Sequence, residues 1–177
     1  MYSHSSVVAQ AAALGPSSFM PLRAPALITP IRPLRAGRVV VAGGGRNLLW
    51  SHQQIAVALL ARNGGQSVHL LLHGGARGAD RAIGRAAQQL GWPVEVLPAD
   101  WRRHGRAAGP IRNRELLELA IARAQAHSTA GAPVSVLVVA FPGGAGTASL
   151  LQLARRMAAS APVQISVTQI SQAPAHP

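Results

Sequence analysis

Three turns of this chain carry clustered glycines in front of helical sequence: Gly43-Gly44-Gly45, Gly74-Gly75-Ala76-Arg77-Gly78, and Gly143-Gly144-Ala145-Gly146 followed by Thr147. Glycine lets backbone approach a ligand closely, and the start of the next helix offers unpaired N–H groups and a partial positive charge, so each turn is a candidate phosphate cradle. One helix end stabilises an anion by only about 0.3–1 kcal/mol, or about 2 when partly buried, so two or three must act together. Around them stand Arg46 after the first cluster, Asp80 after the second, and Pro142 before the third. Asp100 and Trp101 occupy a loop, and Arg112 and Asn113 open a helix. Arg112 is the first choice for a bidentate phosphate contact. Asp80 and Asp100 suit gripping ribose hydroxyls and are the two candidates for catalytic acids, although Asp80 also suits the dipole of its own helix. Asn113 suits a helix cap, Arg114 a solvated helix face, and Trp101 either a base stack or a loop anchor.

Some chemistry is excluded. The chain has no Cys, so it has no disulfide, thiol nucleophile or thiolate metal site. It has no Lys, so a Walker loop is impossible, and no Gly-x-Gly-x-x-Gly follows the first strand. His69 and His73, four residues apart on one strand, are too distant to share a metal, and no metal or resident cofactor is expected.

The elements that position these residues follow from hydrophobic period. Residues 38–42 read as a buried strand and 51–61 as a helix with capping-box spacing at Ser51 and Gln54. Residues 68–72 form a second strand. The next helix has an apolar stripe of Ala79, Ala82, Ile83, Ala86, Ala87 and Leu90. Residues 94–97 are a third strand, 98–110 a long connection, 113–126 a helix, 134–140 a central strand, a fourth helix ends near Ala159, and 163–167 are a fifth strand. This alternation predicts an α/β fold: a Rossmann-like, doubly wound, mainly parallel five-stranded sheet with helices on both faces. In such a sheet all the glycine turns fall along the carboxyl edge of the strands, where ligands bind.

The expected organisation is a disordered extension over residues 1–36, which hold no acidic residue, one domain over 37–168, and a flexible tail over 169–177. The short apolar patch at residues 7–14 is too brief for a secretory signal. No run approaches the roughly 18 apolar residues of a membrane span, so the expectation is a cytoplasmic protein with no membrane partner. With 17 Arg against 5 acidic residues the net charge is +12. That charge suits polyanions, nucleic acid included, and fits equally a coding bias toward Arg. Arg46, Arg77, Arg102, Arg103, Arg106, Arg112 and Arg114 crowd the presumed loops, which favours a local anion site.

The strings His73-Gly-Gly-Ala-Arg-Gly-Ala-Asp80, Pro98-Ala-Asp-Trp101, Gly105-Arg-Ala-Ala-Gly-Pro-Ile-Arg-Asn-Arg114 and Ala140-Phe-Pro-Gly-Gly-Ala-Gly-Thr147 resemble successive signatures of the YspA/YpsA-related branch of the SLOG superfamily. The resemblance runs from about residue 38 to 163. It implies a Rossmann-like fold and binding of a nucleotide or a nucleotide-derived, ADP-ribose-like signal. The superfamily also holds phosphoribohydrolases, which cleave the base from nucleoside monophosphates, and DNA-processing proteins of the DprA type; these supply the alternative functions. Two departures stand out. Arg46 is followed by Asn47 where relatives have Asp, and Ala148, Ser149 and Leu150 stand where the hydrolases carry Glu. An oxocarbenium-like transition state requires a carboxylate, so the hydrolase reading falls back on Asp80 or Asp100. The leading expectation is a binding or sensing module for a small nucleotide-type ligand, with a homo-oligomer as a further partner that superfamily relatives suggest.

Overall fold

Five strands pair in parallel in the order β3-β2-β1-β4-β5, as seen in a computed structural model that describes residues 36–174. The expected extension lies outside the described residues apart from Ala36, as does the patch at 7–14. The strands are β1 (Gly37–Gly43), β2 (Ser67–His73), β3 (Val94–Val96), β4 (Val134–Ala140) and β5 (Ile165–Gln169). The helices are α1 (His52–Asn63), α2 (Ala79–Gln89), α3 (Trp101–His104), α4 (Ala108–His127) and α5 (Ala145–Ala158).

Strand periodicity sorts the core into two layers. Val40, Ala42, Leu71, Leu137 and Val139 point to one face and pack against α1 and α2. Val39, Val41, Leu72, Val136 and Val138 point to the other and pack against α4 and α5. Central strands covered on both faces are near-continuous apolar runs, which is why β1 and β4 are polar only at Arg38 and Ser135, near their starts. The chain builds outward from β1 to β3 and then returns to lay β4 on the opposite side of β1. The strand order reverses there, so a crevice opens beyond the carboxyl ends of β1 and β4. Gly43 and Ala140 are the last register pair of those strands.

The Ser51 capping box forms in both halves, Gln54 N–H to Ser51 Oγ at 3.2 Å and Ser51 N–H to Gln54 Oε1 at 3.0 Å. Three boundaries differ from expectation. The connection over 98–110 is helical: Asp100 caps α3, a 3₁₀ turn follows over Gly105–Ala107, and α4 begins five residues earlier than expected. Pro110 is compatible because it falls in the first turn of α4, where its missing N–H costs no helical bond. Arg112 and Asn113 therefore lie one turn inside the helix, and Asn113 is not its cap. At the other end, β5 reaches Gln169 and Ile170 is buried, so the sheet extends past residue 168 into the expected tail.

Candidate functional site

The first two glycine clusters let three turns nest. Gly45 N–H donates to Pro142 O at 2.8 Å, and Ala79 N–H donates to Gly45 O at 3.1 Å, tying the β1–α1 turn to both of its neighbours. A Cβ on Gly44 would sit 2.7 Å from Ala79 Cβ and 2.9 Å from Phe141 Cβ, and one on Gly78 would strike the carbonyl of Arg46. These glycines are required where one turn packs closely on the next, so the packing of the turns alone accounts for them. The nesting nonetheless leaves a cleft of about 910 Å³ at the switch point, walled by the three turns, α3 and α4. Gly43, Gly44, Gly45, Arg46, Gly74, Gly75, Ala76, Asp80, Trp101, Arg112, Asn113, Gly144, Gly146 and Thr147 line it. Arg77, Gly78, Asp100, Pro142 and Gly143 do not.

The β2–α2 turn is closed upon itself. Gly75 N–H donates to His73 Nδ1 at 3.1 Å, and Ala76 N–H to Asp80 Oδ2 at 3.1 Å. Arg112 Nη1 lies 3.6 Å from Asp80 Oδ2, with side-chain exposures of 17% and 4%. The guanidinium rests directly over Gly74, where any side chain would collide with it. His73 must be neutral at Nδ1 to accept the Gly75 proton. Burial is the main cause that holds its pKa below the ordinary value; the Arg112 charge adds to that and the Asp80 charge opposes it. The expectation that this turn presents free amides to phosphate is thus corrected for Gly75 and Ala76, whose N–H groups are already used. Arg112 is likewise committed to a buried carboxylate, although its Nε has no hydrogen-bond partner.

The β4–α5 turn is open. Nothing lies within 4 Å of a Cβ built on Gly144 or Gly146. Ala145 and Gly146 are the first two residues of α5, where N–H groups have no acceptor within the helix. Thr147 and Ala148 N–H both turn back to Gly144 O. Asn113 fixes this turn from α4, its Nδ2 donating to Gly146 O at 3.2 Å, a positioning role in place of the expected cap. Gly143, by contrast, admits no Cβ, because one would meet Thr147 Oγ1 and come within 2.7 Å of Gly45 N.

At the mouth, the Arg46 guanidinium stacks over Trp101 at 5.0 Å from the ring centroid, joining the β1–α1 turn to α3. Asp100 lies outside the cleft lining and its Oδ1 accepts the Arg103 N–H at 3.0 Å, so its carboxylate serves as a helix cap, and the hydroxyl-gripping and catalytic roles expected for it find no geometric basis. Arg106, one of the Arg residues whose crowding favours a local anion site, lines the cleft, as do Ser149 and Leu150, which were not among the expected binding residues. Leu150, one of the three residues that stand where the hydrolases carry Glu, is buried. Among the described residues, Asp80 is the one carboxylate side chain in the cleft lining.

Comparison with known proteins gives one match. Residues 37–104, from β1 through α3, match the YAcAr family, described as the YspA, cpYpsA-related SLOG family. The match thus holds the first two glycine turns and the Trp101 segment, and ends before the Gly105–Arg114 and Ala140–Thr147 strings. No curated protein and no solved structure matches the chain.

Proposed function

Taking the chain as a member of the YspA, cpYpsA-related SLOG family through residues 37–104, we propose that its cleft binds a nucleotide-derived ligand of the ADP-ribose type. The observation that carries this reading is the pairing of an open helix start with uncompensated charge. Ala145 and Gly146, whose N–H groups have no acceptor within the helix, line the cleft at the start of α5, and Arg46 and Arg106 line the same cleft without a carboxylate partner among the described residues. A partly buried helix end contributes up to about 2 kcal/mol and a hydrogen bond to a charged group about 1.5–3. Together they reach about 3.5–5 kcal/mol, the scale of the roughly 4 kcal/mol that millimolar affinity corresponds to. The Gly74–Gly78 turn and the Asp80–Arg112 pair hold the cleft in shape, and Asp80 also lines it, within reach of a ribose. Calorimetry with AMP, ADP and ADP-ribose should give saturable binding for at least one, and silence from all three at millimolar concentration would overturn the proposal.

Binding without turnover is the reading preferred over phosphoribohydrolysis. The only lining carboxylate among the described residues is held by Ala76 N–H and Arg112, and Ala148, Ser149 and Leu150 stand where the hydrolases carry Glu. Incubation with nucleoside monophosphates should release no free base. Exposed Arg102 and Arg103 on α3 extend the positive rim and keep a nucleic-acid reading in play. A DNA affinity that falls steeply with salt would support that reading. No helix among the described residues is long and apolar enough to cross a membrane.

A further inference from the structure

A second, smaller pocket of about 330 Å³ lies at the mouth of the cleft, bounded by Arg46, Gly75, Ala76, Arg77 and Trp101. Four of these also line the cleft, so the two spaces adjoin across the Arg46–Trp101 stack; Arg77 belongs to the outer pocket alone. Gly75 has φ of 68°, and a Cβ there would approach Val96 Cγ1 to 2.8 Å, so the floor at this point is bare backbone.

The charge of this pocket is unbalanced. Of the chain's five acidic residues, Asp80, Glu95 and Glu118 are paired with Arg112, Arg123 and Arg114, and Asp100 caps α3. The fifth, Glu115, forms no ion pair with Arg46 or Arg77. Arg46 and Arg77 both line this space, so an anion entering it meets two positive residues with no carboxylate partner among the described residues. Both are exposed and need no desolvation to reach it.

We propose that the Arg46–Arg77 pocket is a second phosphoryl subsite, so that the preferred ligand is a nucleotide carrying a further phosphoryl group beyond the one at the start of α5. This deepens the cleft reading and rests on it. Arg46, shared by both spaces, would contact both groups, and Arg77 would contact the outer one only. Trp101 holds the Arg46 guanidinium on its face and limits how far it can swing away.

The test is calorimetry on wild-type protein and Arg77→Gln with AMP, ADP and adenosine 3′,5′-bisphosphate, which offer one phosphoryl group or two at different spacings. Wild type should bind at least one of the two doubly phosphorylated ligands about tenfold more tightly than AMP, the scale of one charge-assisted hydrogen bond. Arg77→Gln should remove that gain and leave AMP affinity within about twofold, with an unchanged melting temperature. AMP binding with no gain from a second phosphoryl group, or a gain that survives Arg77→Gln, overturns the subsite while the cleft reading stands. A loss of AMP affinity equal to the loss for the others also overturns it. Failure of all three ligands to bind overturns the subsite, and the cleft reading falls with it only where ADP-ribose is silent as well.

Discussion

The β2–α2 and β4–α5 turns look alike in sequence, both glycine-rich and both opening a helix, yet they have opposite states. In the first, Gly75 and Ala76 amides are consumed by His73 and Asp80, and the Arg112 guanidinium seals Gly74. In the second, Gly144 and Gly146 face open space and the first amides of α5 are unclaimed. Glycine therefore signals two different needs: room for a neighbouring protein group, or room for a ligand. What tells them apart is whether buried side chains converge on the turn's N–H groups. One turn is a scaffold and the other is a receptor, and the difference can be tested by disturbing each.

The largest effect should come from Arg112→Met. It leaves the Asp80 carboxylate, 4% exposed, without its cation, and removing one partner of a buried pair costs about 3 kcal/mol. Urea unfolding measures the loss, and Asp80→Asn in the same chain should restore much of it by removing the stranded charge. A loss below about 0.5 kcal/mol, typical of a surface substitution, would mean that the pair does not lock the scaffold turn.

Much of the architecture could be read from period alone. Residues 134–140 had to be a central strand because no polar face breaks the apolar run, and Ser51 with Gln54 had to start a helix because their side chains satisfy each other's backbone. The connection over 98–110 was misread because Gly105, Gly109 and Pro110 resemble breakers, whereas the proline falls in the one turn that tolerates it and Asp100 supplies a cap. The convergence of the glycine turns was legible from the fold class. The split between scaffold and receptor was not, because it depends on Arg112 of α4 reaching Asp80 of α2 across the sheet edge, a contact between residues 32 positions apart that no local pattern encodes.

A sharper comparison pairs Gly74→Ala with Gly146→Ala, the same added methyl on each turn. At residue 74 the methyl meets the Arg112 guanidinium, which must be displaced from Asp80, and overpacking of this kind costs about 1–3 kcal/mol. At residue 146 the methyl enters empty space within a helix, where Ala is favoured over Gly by up to about 1 kcal/mol. The receptor-turn variant should thus be at least as stable as wild type and yet bind nucleotide more weakly, because the methyl takes up space at a residue that lines the cleft. Equal destabilisation at both positions would erase the distinction between the turns.

The smallest effect belongs to His73, and it has a definite sign. In the unfolded chain the imidazole titrates at about pH 6.5, whereas in the folded protein burial holds its pKa lower, so the unfolded state binds the proton more readily. The stabilisation that neutral His73 provides is accordingly complete above about pH 6.5 and is lost as pH falls from there through the folded value. Protonation also removes the acceptor for Gly75 N–H, so the scaffold turn should loosen in acid while the receptor turn, which has no titrating group in its hydrogen bonds, does not. His73→Asn keeps an acceptor oxygen near the Nδ1 position and cannot be protonated. Comparing unfolding free energies at pH 7.5 and 5.5, wild type should lose more stability on acidification than His73→Asn. If both fall by the same amount, the imidazole is not the acceptor that holds the turn closed.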